Sequence, residues 1–301
     1  MANMNKNGLK ATKRTGLYFV LPFFLIFLVM LVVPLIYSGY ISLYKKGLVG
    51  GNHFVGLANY TKMLHDPQMI SSVVRVGLYF FIQVPVMLAI SIFAALALDS
   101  GKLRYPKFYR IAIFLPYAVP AIVGTVIWGY IYGTNYGFLN QVLGYLHIHK
   151  VNFLGSQTSA LTSISAVVTW EFAGYNMIIL YAALKGLSTE LYEAAAVDGA
   201  GSIKTAVSIK LPQLYPAIFL TVIFSIIGSF QLFVEPFQFN ILAPTVVNNS
   251  FTPNVYSYTT AFLGQQLNYA AAISFMLGLI IAVVATAATL IGQKRGGGDL
   301  I

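Results

Sequence analysis

Between Leu211 and Gln293 the chain carries a single charged side chain, Glu235. Soluble domains average about one charged residue in four and need them to keep their surface in water. The apolar residues here come in blocks longer than about 18, the length of a bilayer-crossing helix rather than of a buried core helix. A soluble helical protein is excluded by this pattern, and the chain is expected to be an all-α integral membrane protein. Six blocks run over 17–41, 73–98, 111–132, 160–184, 216–239 and 269–292. Each is long enough to cross about 30 Å of hydrocarbon at about 1.5 Å per residue.

The first block follows Lys6, Lys10, Lys13 and Arg14, as a signal peptide's apolar region would. It is too long for that role, and no small-x-small cleavage site follows, so it reads as a retained span. Pro22, Pro34 and Pro85 fall inside blocks; neighbouring helices in a bundle re-satisfy the carbonyls that proline frees.

The charge of +10 suggests nucleic acid as a partner, but the basic residues sit at the ends of apolar blocks instead of along one stripe. There they orient membrane helices, so the lipid bilayer and no nucleic acid is the expected partner. With the N-terminus inside, thirteen of the 18 Lys and Arg fall on inner segments. This bias puts both termini in the cytoplasm. No cysteine is present, which removes disulfides, thiolate nucleophiles and Cys-held metals. His53, His65, His147 and His149 fall in loops, and none stands with carboxylates in a metal-ligand pattern. No catalytic residue, metal or cofactor is expected. The outer segments 42–72, 133–159 and 240–268 are rich in Gly, Asn, Tyr and Thr and should form short ordered caps. No internal repeat is visible, and the only low-complexity stretch is Gly296–Gly298.

The inner segment 188–218 is the most informative. It predicts two short helices with a break. Ser188 is an N-cap, and Glu190 and Glu193 complement the helix dipole. Leu191, Ala194, Ala195 and Asp198 share one face, narrow enough for another surface to approach closely. Gly199 and Gly201 end this helix, and a second runs from Ser202 to Lys210 until Pro212 stops it.

The string EAAAVDGA (193–200) followed by IKLP (209–212) resembles the "EAA" loop of binding-protein-dependent ABC importer permeases. Their pattern is Glu-Ala-Ala, three residues, Gly, nine residues, Ile-x-Leu-Pro. Glu193, Ala194, Ala195, Gly199, Ile209, Leu211 and Pro212 occupy the matching positions, with Asp198 inside the loop. GLANY (56–60), FLP (114–116) and YAAAIS (269–274) are similar to strings of the maltose-type sugar permeases. The resemblance implies a type I importer fold of six spans. It divides the chain into an N-terminal part, 1–70, a permease domain, 71–292, with its coupling loop at about 185–215, and a tail, 293–301. It also implies that the loop docks on a separate ATPase. No G-x-x-x-x-G-K-[ST] loop occurs, so ATP would be bound elsewhere. The implied partners are a second permease subunit, two ATP-binding cassette subunits and an extracytoplasmic sugar-binding protein.

Glu171 lies mid-span in WEFAGYN (170–176). A carboxylate there costs about 2.5–3.5 kcal/mol on insertion scales and must face protein or water. It reads either as a structural hydrogen-bonding group or as part of a polar sugar path with Tyr175 and Asn176. Span five ends in SFQLFVEPFQ (229–238), which is similar to sugar permeases at this place and implies that Gln231 and Glu235 line an outer vestibule. The family's glycine-rich stretch after span five is missing. The expected function is translocation of a sugar, a di- or oligosaccharide. A permease for another solute, a secondary carrier and a polytopic membrane enzyme are the alternatives.

Overall fold

The computed structural model describes residues 18–47 and 51–295, so Lys6, Lys10, Lys13, Arg14 and the Gly296–Gly298 stretch lie outside the described residues. The chain divides into two compact units. One is formed by residues up to Leu64 together with Thr260–Met276, the other by His65–Thr259 together with residues from Leu277 on.

The first unit starts with α1 (Tyr18–Ser42), whose apolar side chains are exposed all round, as a helix solvated by hydrocarbon requires. Pro34 sits inside it without breaking it. The turn before the proline, Leu28–Val32, is π-helical, and the Val33 N–H reaches back five residues to the Leu28 carbonyl. The wider turn relieves the clash that a proline ring makes with the carbonyl four residues earlier. A hairpin of β1 (Tyr44–Lys46) and β2 (Asn52–Phe54) follows, with Lys45 opposite His53. Next comes α2 (Ala58–Leu64). Its Asn59, from the GLANY string, donates to the Ser42 and Tyr44 carbonyls at 2.7 and 2.8 Å, and Asn268 donates to the Ile41 carbonyl at 3.0 Å. The Ile41 and Ser42 carbonyls are among those that the end of α1 leaves without helical partners, and the bond to Tyr44 ties β1 to the same amide.

In the second unit, α3 (Pro67–Asp99) and α7 (Gln157–Lys185) pack along their length. Asp66 caps α3 by accepting from the Gln68 N–H at 2.9 Å, while Ser156 and Ser159 form a reciprocal capping box on α7. Within the pair, Ser91 donates to the Ala173 carbonyl at 2.9 Å. Between them run α4 (Pro106–Ala118), α5 (Ala121–Ile131) and α6 (Phe138–Tyr145).

The third apolar block is therefore not one straight span. α4 and α5 meet at 97° across Val119–Pro120. The proline forces Val119 into extended geometry (ψ 129°), and the last turn of α4 is already tightened to 3-10. The fifth block is also interrupted. α10 (Tyr215–Phe230) stops at Gln231, and α11 (Val234–Leu242) starts afresh. After α11 come α12 (Pro253–Phe262) and α13 (Leu267–Arg295). Among the described residues four helices are long and apolar enough to cross a membrane, and six when each bent pair counts as one span. The intervening segments are ordered by side chains: Asn140 bonds the Gly133 and Val151 carbonyls, and the Arg75 guanidinium bonds the Ser250 and Phe251 carbonyls at 2.8 and 2.7 Å.

The helix pair in the loop is α8 (Thr189–Val197) and α9 (Ser202–Gln213). Gly199 ends α8 at φ +72°, and the Ala200 N–H bonds the Ala195 carbonyl at 2.9 Å, the six-to-one bond of a Schellman cap. Gly201 plays a different part from the one expected, since at φ −67° it is the N-cap of α9. Pro212 does not stop the second helix. A second π turn, Ala206–Lys210, precedes it as one precedes Pro34, and α9 continues to Gln213 before bending by 62° into α10.

Two glycines should be intolerant for different reasons. A Cβ on Gly174 would stand 2.0 Å from the Ile113 carbonyl oxygen, where α4 crosses α7. Gly174→Ala should destabilise the protein by about 1–3 kcal/mol, read as a lower melting temperature in detergent. Gly77→Ala, which meets nothing within 4 Å, should not. Gly199→Val should cost about 1–3 kcal/mol through its left-handed backbone and speed amide exchange at the end of α8. Gly201→Ala, which needs no left-handed backbone, should cost less than about 1 kcal/mol as a poorer cap of α9 and leave exchange at the end of α8 unchanged.

Candidate functional site

Two places in the second unit hold the residues singled out from sequence. The first is a cavity of about 340 Å³ bounded by α3, α7, α10 and α11. Its existence follows from the interruption of the fifth block. The chain leaves α10 at Gln231, crosses Leu232 and Phe233, and re-enters helix at Val234, so Gln231 and Glu235 both reach the cavity wall. Tyr175 and Asn176 reach it from α7.

The polar part of the wall is largely pre-organised. The Asn176 amide donates to the Phe172 carbonyl at 3.0 Å and contacts the Met87 sulfur at 3.4 Å; the Gln83 amide contacts the same sulfur at 3.2 Å. Ser225 and Ser229 each donate to the carbonyl four residues back at 2.7 Å, which fixes their hydroxyls and leaves oxygen lone pairs to accept. The Tyr175 ring stacks on Tyr117 with centroids 4.8 Å apart, and Tyr117 meets Phe172 edge-on at 5.7 Å. The wall thus combines aromatic surface with amide and hydroxyl groups in a mostly apolar setting, the usual make-up of a small-molecule site.

Glu171 is not among the cavity's lining residues. It is 4% exposed, its carboxyl neighbours that of Glu235, and one of its oxygens lies 3.0 Å from where a Cβ on Gly124 would stand. Sequence reasoning missed Gln83, Ser225 and Ser229. The signals were present: an amide amid the apolar residues of span two, and two hydroxyls spaced i, i+4 on span five.

The second place is the loop of α8 and α9. Glu193 and Asp198 are exposed, Ala195 is buried, and Ile209 and Leu211 are half-buried. Pro212 is exposed, and Ala194 lies within α8, its side chain outside the described set. The loop also presents uncovered apolar side chains: Val197 is 88% exposed, Ile203 81%, and Val207 is exposed as well. At the joint with the membrane helices, Leu214 is fully buried in a cluster with Ala95, Leu98, Met177, Leu180 and Leu184. Above that cluster the Asp99 carboxylate is bracketed by the ammonium groups of Lys185, at 2.8 Å, and Lys210, at 2.5 Å. The sequence reading used those lysines only to count charge.

A model of the family described as "Binding-protein-dependent transport system inner membrane component" matches residues 69–295. The diacetylchitobiose uptake system permease protein of Streptomyces coelicolor is 32% identical over 265 residues, covering 84% of this chain and 75% of that protein. The lactose transport system permease protein of Rhizobium radiobacter is 30% identical, covering 94% of this chain and 96% of that one. The arabinooligosaccharides transport system permease protein of Bacillus subtilis is 29% identical, covering 93% and 87%. In fold, the chain is similar to a solved bacterial ABC transporter involved in the import of alginate, with a TM-score of 0.82 at 20% identity over 96% of this chain and 99% of that one. The charge-poor helices, the EAA-type loop and the family match agree, and the chain belongs to the binding-protein-dependent transport family as a multi-pass inner membrane permease component of an ABC importer.

Proposed function

We propose that this chain passes a di- or oligosaccharide across the membrane through the cavity bounded by α3, α7, α10 and α11. The supporting observation is that four residues from three places, Tyr175 and Asn176 on α7, Gln231 at the break and Glu235 on α11, line one cavity. A sugar ring offers an apolar C–H face and a girdle of hydroxyls. Stacked aromatics suit the first, and amides, serine oxygens and a carboxyl suit the second. The relatives' names point the same way, being systems for diacetylchitobiose, lactose and arabinooligosaccharides. Glu171 serves this path from behind, as a neighbour of Glu235 rather than a contact of the sugar.

Energy enters through the loop. Glu193, Ala194, Ala195, Asp198, Gly199, Ile209, Leu211 and Pro212 form the element that docks in a cleft of a separate ATPase, with exposed Val197 and Ile203 supplying apolar contact. The chain works with a second permease subunit, two ATP-binding cassette subunits and an extracytoplasmic sugar-binding protein, and it has no ATP site of its own. Both termini lie in the cytoplasm, the side on which Lys and Arg accumulate. Functionally, 1–70 anchors and 71–292 transports, with 185–215 as the coupling loop and 293–301 as a tail.

The test is uptake of a panel of radiolabelled disaccharides, including lactose and diacetylchitobiose, into vesicles holding the reconstituted complex. ATP-dependent uptake of at least one is expected; a complex that moves none of them contradicts the reading. Asn176→Ala and Gln231→Ala should each lower uptake about fivefold to tenfold, the equivalent of one hydrogen bond of about 1 kcal/mol, while leaving the complex assembled.

A further inference from the structure

The end of α3 grips α9 at two points. Asp99, the last residue of α3, holds Lys210 at 2.5 Å, and three residues later the Lys102 ammonium donates to the Ser202 hydroxyl at 2.9 Å. Ser202 and Lys210 stand near the two ends of α9. Asp99 also holds Lys185, the last residue of α7, at 2.8 Å. One carboxylate thus ties together the inner ends of the two longest helices in this unit and the helix pair beneath them.

The placement of this carboxylate is unusual on physical grounds. An anion at a helix C-terminus faces the negative end of the dipole, where cations are preferred. The Asp99 side chain is only 5% exposed, and burying a charge is costly unless it is paired. Two ammonium groups offset both penalties, and Lys210, 13% exposed, is well shielded from solvent screening. Removing one partner would strand charge in a buried site. Lys210 itself is aimed by local structure, since it closes the π turn Ala206–Lys210 that accommodates Pro212. It also fills the position that the Ile-x-Leu-Pro pattern leaves open, so the pattern did not point to it.

We propose that Asp99, with Lys210 and Lys185, is the positioning clamp that makes α9 move as one body with α3 and α7. The joint between α9 and α10 is a 62° bend at Leu214, an apolar pivot that by itself would let the loop swing without moving the spans. The ion pairs remove that freedom. The inference rests on the proposed docking of the loop on an ATPase.

The experiment compares Asp99→Asn, Asp99→Glu and Lys210→Met in the reconstituted complex. Three quantities are read: co-purification of the ATPase subunit, ATP hydrolysed, and uptake of whichever disaccharide of the panel the parent complex imports. In Asp99→Asn and Lys210→Met the ATPase stays bound and hydrolyses ATP, but sugar moved per ATP falls roughly fivefold or more. Asp99→Glu recovers most of it. A ratio unchanged in Asp99→Asn overturns the clamp while leaving loop docking intact, as does failure of Asp99→Glu to recover it when the ATPase remains bound. If the parent complex itself binds no ATPase or imports none of the sugars, the reading beneath the clamp is wrong, and the clamp is rejected with it.

Discussion

Within hydrocarbon a backbone has no water to bond, and each N–H and C=O must be satisfied by the protein itself. This constraint accounts for where the chain is regular and where it is not. α1, α3, α7 and α13 run unbroken through 25 to 33 residues where the sequence offers long apolar stretches. Where proline would orphan a carbonyl, as at Pro34 and Pro212, the preceding turn opens to π geometry and bonding resumes. Where the backbone does break, at Gln231–Phe233, it breaks against a cavity. Irregular backbone at membrane depth is tolerated only in protein or beside water, so the break itself marks a site.

The same economy governs polar side chains. Each hydroxyl of the α10 ladder, Thr221, Ser225 and Ser229, returns its proton to a carbonyl of its own helix, and those of Ser225 and Ser229 reach the cavity wall with lone pairs left to accept. The amides of Gln83 and Asn176 converge on the sulfur of Met87. Arg75 is spent on two loop carbonyls. Little polarity is left over among the described residues, and what faces the cavity stands out as available to a ligand.

Much of this was legible from composition and motif. The first, second, fourth and sixth apolar blocks match α1, α3, α7 and α13 to within six residues, because a bilayer imposes a length that sequence must match, whereas the third and fifth blocks hide their breaks. The Glu-Ala-Ala helix and its glycine break were legible too, since Gly199 needs its left-handed backbone for a purely local reason. What escaped depends on tertiary placement. Val119–Pro120 reads as one more proline in an apolar block, yet Val119 is extended there and the chain turns by 97°. Pro212 escaped in the opposite sense, being absorbed where a stop was expected. From its mid-span position Glu171 read either as a structural group or as part of the sugar path; it is buried and is not among the residues that line the cavity. Asp99, Lys185 and Lys210 are separated by up to 111 residues, and no periodicity links them.

Under the proposed function, three elements connect loop to cavity: an apolar-tipped helix pair, a buried joint at Leu214, and a space of about 340 Å³ where α10 breaks. The claim on which this rests is that the helix pair is held by an ATP-hydrolysing subunit. The chain has no cysteine of its own, so one introduced at Val197 is unique within it. In inside-out vesicles of the complete complex, a bifunctional cross-linker at that position should capture the ATPase subunit and block uptake. Labelling of the same cysteine only from the outer face, or capture of no nucleotide-hydrolysing subunit, would contradict the account.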